Sequence, residues 1–242
     1  EPFRLLELEI ESQPDFDLPN NLRLGHLVEK TVSKCIRASS NYRLLHEGIQ
    51  LIEEKHTIGE IDFFLEELKS RKVIHMELAY KFYLYDTLIS THPIQNWIGP
   101  NRNDSLHLKL QKLEEKQFPL LQHKASQRHL GGLASSEISQ KLCFMASLFL
   151  PYQRKVELEP SYQKAVKGYY LSYSDFQSLN HSASTFYLPP KKEWGIDPSE
   201  NQNWTAYEEI RKNVNERVKE NRSRMIWQKK GDNYKSFFVV WW

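Results

Sequence analysis

Apolar positions recur at helical spacing over residues 20–38, where Leu24, Leu27, Val28, Val32, Cys35 and Ile36 fall on one face. That period predicts a helix, with Asn20 or Asn21 placed to cap it. Beyond it the pattern shortens. Ile49 to Ile52 is a brief apolar run containing Gln50, Glu53 to His56 is a polar turn, and Ile58 to Leu65 reads as a second strand. Glu66 to Lys72 is polar enough to be the next turn. Val73 to Tyr85 is rich in β-branched and aromatic residues, which suits a third, largely buried strand. Trp97 to Asn101 reads as a loop. Asp104 is placed to cap a helix reaching Gln117, with Leu106, Leu110 and Leu113 as its buried stripe. Leu142 to Tyr152 predicts a fourth core strand. Past Pro160 come short strands at Tyr169–Tyr173 and Thr185–Leu188 and a polar helix from Trp204 to Asn221. A hairpin closes the chain, pairing Met225–Gln228 with Ser236–Trp242 around Gly231-Asp232-Asn233.

The expected fold class is therefore mixed α/β (α+β): a helix, a three-stranded antiparallel unit, a helix and a further strand, followed by a C-terminal α+β extension. Three segments are expected: an acidic stretch at 1–19, a core at 20–152, and strands, basic helix and hairpin at 153–242. A chain of 242 residues is long enough for a substantial core. Its longest apolar run, Phe237 to Trp242, falls far short of the ~20 residues a membrane helix needs. Nothing at the N-terminus resembles a signal peptide, and two cysteines, Cys35 and Cys143, cannot form a disulfide framework, so a reducing, cytoplasmic setting is expected.

The motif inventory narrows the chemistry. Nine glycines are few for phosphate-cradling loops, and GxxxxGK[ST], GxGxxG, GxSxG, HExxH and CxxC do not occur. Charge is nearly balanced, at 33 Lys+Arg against 31 Asp+Glu, but unevenly spread. Residues 1–20 hold six acids against Arg4, and residues 203–235 hold nine bases against five acids. That basic stretch is either a solvated helix face or a rim that contacts phosphates.

Three acids sit where acids are costly. Glu29 borders the apolar face of the first helix, Asp62 lies inside Gly-Glu-Ile-Asp-Phe-Phe-Leu with Glu60 on its strand face, and Glu77 lies in the third strand. Buried carboxylates need a partner or a metal. Two of them on adjacent strands suit a divalent cation with oxygen ligands, Mg²⁺ or Mn²⁺. Were Glu77 and Lys81 helical, they would form an i, i+4 surface pair. On a strand their Cα atoms stand ~13 Å apart and each needs another partner. His75 reads as a satisfied core histidine rather than a ligand.

Glu29 on a helix, Gly59-Glu60-Ile61-Asp62, and an apolar strand with Glu77 and Lys81 together resemble the PD-(D/E)XK nuclease superfamily. Within it they look most similar to a bacterial family of uncharacterised proteins. That likeness rests on Leu24-Gly25-His26-Leu27-Val28-Glu29, Gly59 to Leu65, Glu77 to Leu84 and Trp97 to Asn101, and spans residues 20–150. It implies a restriction-endonuclease-like core of order α-β-β-β-α-β. It also implies Mg²⁺ (or Mn²⁺) held by Glu29, Asp62 and Glu77, Lys81 as catalytic lysine, and DNA as the partner cleaved. The sequence departs from the pattern at the lysine: the position two after the glutamate is Ala79, and Lys81 stands two further along the same face. Gln50 and Lys109 are candidate substitutes. The expected function is a Mg²⁺-dependent nuclease. The alternatives are a catalytically inactive nuclease-like module binding nucleic acid or a protein, or a partner protein using Phe237 to Trp242 as a docking strand.

Overall fold

The computed structural model describes residues 1–19 and 21–242. Its elements run α1 (Leu24–Arg37), β1 (Tyr42–Glu53), β2 (His56–Glu67), β3 (Lys72–Tyr85), β4 (Trp97–Ile98), α2 (Leu106–Lys112) and β5 (Ser139–Pro151). There follow α3 (Pro160–Gln163), β6 (Val166–Ser172), α4 (Tyr173–Ser178), β7 (Thr185–Tyr187), α5 (Tyr207–Lys219), β8 (Arg224–Lys230) and β9 (Asn233–Val240). The fold is mixed α/β, as the patterning indicates. The chain divides into two compact units, Glu1–Tyr80 with Leu110–Met145, and Lys81–Lys109 with Ala146–Trp242. The division passes through β3 and β5.

In the first unit β1, β2 and β3 form an antiparallel ladder, and β5 follows β3 in the sheet order. The β1–β2 hairpin turns on Glu54 and Lys55, both at positive φ (47° and 68°), the handedness that matches strand twist. One sheet face carries Phe63, Leu65, Ile74, Met76 and Leu78, covered by Val32 and Ile36 of α1. The other carries Ile49, Leu51, Ile61 and Phe64, covered by Leu120 and Leu121 from the 3₁₀ turn Phe118–Gln122. Each of Ile61, Phe63, Phe64 and Leu65 is almost wholly buried, contributing about 1.5–3 kcal/mol of apolar burial apiece. Gly59 lies under this close cover: a Cβ there would lie 2.5 Å from Leu120 Cδ1, so the Leu120 side chain would have to move.

Several boundaries differ from the sequence reading. The first helix starts at Leu24 after Arg23, with no side-chain cap. Asn21 is therefore not its cap, and Asn20 lies outside the described residues. β1 extends back to Tyr42, well before the apolar run at Ile49. Trp97 and Ile98, expected in a loop, pair with Tyr85 and Leu84. α2 stops at Lys112 and gives way to a π-helical turn, Leu113–Gln117.

In the second unit β6 pairs in parallel with both β5 and β9, and β9–β8–β7 continue antiparallel. β9 is thus an interior strand, and its Phe237, Phe238, Val239 and Val240 are buried. The segment up to Val240 is thus the internal hairpin strand its apolar pattern predicts, rather than the docking strand of the alternative reading. Leu171, Phe176, Phe186, Ile210, Val214, Ile226, Phe237 and Val239 form the core under α4 and α5. On α5 the cations are largely taken up locally, Arg211 by Glu208, Lys212 by Glu216 and Arg217 by Glu220, so this helix is a self-paired solvated face rather than a row of unengaged bases.

Candidate acidic pocket

The sheet of the first unit changes its facing at one point. Phe63 and Leu65 pack against α1, whereas Ile61 and Phe64 pack on the opposite side, three residues apart where a regular strand requires an even spacing. Asp62 sits at this break. On the neighbouring strand Gly48 takes φ +60°, a conformation that favours glycine, and stands between Glu47↔Phe63 and Ile49↔Ile61 in the β1–β2 register. On the other side the β2–β3 register runs up to Phe63↔Met76. At the next step the Leu78 amide donates to Asp62 Oδ2 at 2.7 Å, so a side chain takes the place of a ladder carbonyl.

This break opens a cavity of about 130 Å³ lined by Glu29 from α1, Glu47 from β1 and Glu60 and Asp62 from β2, with His26 and Lys30 beside them. The helix and strand acids predicted from sequence, Glu29 and Asp62, are therefore brought together. Glu29 Oε2 lies 3.0 Å from His26 Nδ1. Lys30 Nζ donates to Glu47 Oε1 at 3.2 Å, and Arg37 lies 3.6 Å from the same oxygen. Burial alone pushes the Glu47 carboxyl upward, but hydrogen bonds from Ser33 and Lys30 and the charges of Lys30 and Arg37 outweigh it and hold the group below its ordinary range.

Glu77 goes elsewhere. It is 1% exposed, and its Oε1 meets His75 Nε2 at 2.8 Å while its Oε2 accepts from Gln117 Nε2 at 3.2 Å. Gln117 belongs to the π-helical turn and donates also to the Glu60 carbonyl at 3.3 Å. His75, wholly buried between Phe64 and Phe118, meets Gln140 Nε2 through its Nδ1 at 3.1 Å. His75 is thus the satisfied core histidine expected, and its partner is the supposed metal ligand. Glu77 does not line the Glu29–Asp62 cavity.

Lys81 is in the second unit, where its Nζ meets Asp104 Oδ2 at 2.6 Å. Asp104, read from sequence as a helix cap, is instead this lysine's counter-ion. Gln50 is exposed on β1 opposite Glu60, and Lys109 lies midway along α2 in the second unit; neither lines the cavity. Sequence reasoning missed Glu47 and Lys30; the available signals were Gly48 interrupting a strand and Lys30 directly following Glu29.

Among the described residues, no three His, Cys, Asp or Glu side chains are grouped to hold one metal ion. Magnesium does not demand three: it keeps several waters and takes one or two carboxylates together with substrate phosphate oxygens. Glu29 and Asp62, hard oxygen donors lining one small cavity, fit that donor set, and Glu77 as placed does not belong to it.

No helix among the described residues is long and apolar enough to cross a membrane. No curated protein and no solved structure matches the chain. Residues 5–236 match the family described as "Domain of unknown function (DUF1853)", and the chain belongs to that family.

Proposed function

We propose that this protein is a divalent-cation-dependent phosphodiester hydrolase acting on nucleic acid, DNA in the first instance, built on a PD-(D/E)XK-type core. The observation that carries the reading is the meeting of Glu29 and Asp62 in one cavity at the point where β2 changes its facing. The order α1, β1–β3, α2, β5 supports it. Glu29 and Asp62 would hold Mg²⁺ (or Mn²⁺), which, when bound, lowers the pKa of an attacking water and offsets charge on the scissile phosphate.

The chain's own groups do the rest. Asp62 is fixed by the Leu78 amide, which sets the direction of its carboxylate. Lys30, lining the cavity, is the cation placed to hold a phosphate oxygen there. Glu77 acts as a positioning residue rather than a ligand: through Gln117 it ties down the Glu60 carbonyl, two residues before Asp62. Lys81, the displaced lysine of the resembled motif, must leave Asp104 to take part.

That last requirement favours a second reading, a nuclease-like module that binds nucleic acid or a protein without cleaving. The test is turnover of labelled single- and double-stranded DNA and RNA with Mg²⁺ or Mn²⁺, using the parent and Asp62→Asn, which keeps an acceptor for Leu78. Metal-dependent cleavage by the parent, lost in D62N, supports the hydrolase. Binding that survives D62N, with no cleavage by the parent, selects the module.

A further inference from the structure

The β8–β9 hairpin of the second unit carries a second cavity, of about 590 Å³, well away in sequence from the acids above. Hairpin register pairs Gln228 with Lys235 and Lys230 with Asn233, and alternation puts all four on one sheet face. The same face continues through Phe237 to its parallel neighbour Tyr169, whose ring stacks on it at 4.9 Å and 3°. Tyr152 leans on Tyr169 at 4.9 Å and 39°, and its amide is held by the Tyr170 carbonyl. A volume of this size matches small-ligand sites, which run to about 300–1,000 Å³.

The lining has a definite chemistry. Lys230 and Lys235 point to an anion, and among the described residues neither has a carboxylate within ion-pair distance. No acid lines the cavity; Asp232, at the hairpin tip, is outside it. The tyrosines add an aromatic surface backed by Phe237, and burial holds the Tyr169 phenol neutral well above its ordinary range, so it does not repel an anion. Asn180 accepts the Ser182 amide through its Oδ1, leaving its Nδ2 as a donor, and Gln228 donates to the buried Ser184, leaving its Oε1 as an acceptor. Cations at one end, ring faces beside them and an amide donor and acceptor between are what a phosphate, a base plane and a base edge require.

We infer that this cavity binds a nucleotide unit, with its phosphate on Lys230 and Lys235 and its base against Tyr152 and Tyr169. The inference does not depend on the acidic pocket, and D62N is expected to leave it unchanged. The experiment titrates the intact chain with ribonucleoside 5′-monophosphates and inorganic phosphate by calorimetry, and with fluorescein-labelled decathymidylate by anisotropy. The parent is expected to bind a nucleotide probe saturably, and inorganic phosphate about tenfold more weakly for want of a base to stack. K230Q/K235Q, at exposed positions, is expected to weaken nucleotide binding at least about tenfold, and Tyr152→Leu about fivefold or more. Decathymidylate binding more tightly than any monophosphate assigns the site to a single strand; the reverse assigns it to free nucleotides. No saturable binding of any nucleotide probe, binding indifferent to the lysine exchange in a variant folded by circular dichroism, or inorganic phosphate binding as well as the nucleotides, overturns the inference.

Discussion

Replacing His75 by phenylalanine probes the buried polar cluster that fixes Glu77. His75 has no exposed surface and lies 5.7 Å from the ring centroids of both Phe64 and Phe118, so a phenyl ring occupies the same space without opening a large cavity. What is removed is the 2.8 Å contact to Glu77 Oε1 and the 3.1 Å contact to Gln140. Glu77, at 1% exposure, is left with the hydrogen bond from Gln117. Removing His75 leaves both Glu77 Oε1 and the Gln140 amide short of a partner in the core, at about 1–3 kcal/mol for each buried polar group. The expected loss is therefore about 3 kcal/mol, or a thermal midpoint lower by roughly 6–12 °C in a chain of this size. Far-UV circular dichroism is the right probe, because all six tryptophans lie in the second unit whereas His75 and Glu77 lie in the first. Glu77→Gln removes the same contact from the other side, so H75F/E77Q should lose less than the two single variants together, by about 1–3 kcal/mol of coupling. A loss under about 1 kcal/mol for H75F, or strict additivity, refutes the claim that this pair is a coupled buried unit.

Two further outcomes follow from the geometry. Gly168→Ala places a Cβ 1.8 Å from the Ser236 carbonyl oxygen, a backbone atom, so β6 and β9 must separate; the expected cost exceeds the about 1–3 kcal/mol of ordinary overpacking, read as loss of cooperative tryptophan-monitored unfolding. Because the folded Glu47 carboxyl lies below its ordinary range, its stabilisation is present above the unfolded carboxylate pKa and disappears as pH falls through the folded one. Glu47→Gln should thus lower the unfolding free energy from urea titration at neutral pH by about 0.5–1 kcal/mol, and match the parent near pH of about 3. A deficit that persists in acid contradicts the electrostatic origin.

The strands around the site were legible where burial is nearly complete: Ile74 to Ala79 and Phe82 to Tyr85 are buried, as are Ile61 and Phe63 to Leu65, and their composition says so. β1 was not legible over Tyr42 to Gly48, where exposed and half-buried positions follow no clean alternation. The start of α1 was misplaced because a cap was expected and Arg23 supplies none. Of the site, Glu29 and Asp62 stood out as acids against apolar surroundings, and both line the same cavity. The fate of Glu77 could not be read locally. Its His75 partner was two residues away on the same face, but Gln117 and Gln140 arrive from 40 and 65 residues beyond Glu77 and His75. Lys81 likewise finds a counter-ion 23 residues on, in a residue whose type also suits a helix cap.

The central claim is that Glu29 and Asp62 form a cation site in the sheet break. Mn²⁺ titration by calorimetry on the parent and on Asp62→Asn tests it directly, with folding of both verified by circular dichroism. The account predicts saturable binding by the parent and at least about tenfold weaker binding by D62N, since one of the two ligating charges is gone. Equal Mn²⁺ binding by the two proteins, or none by the parent even with an uncleavable phosphorothioate oligonucleotide present, contradicts it.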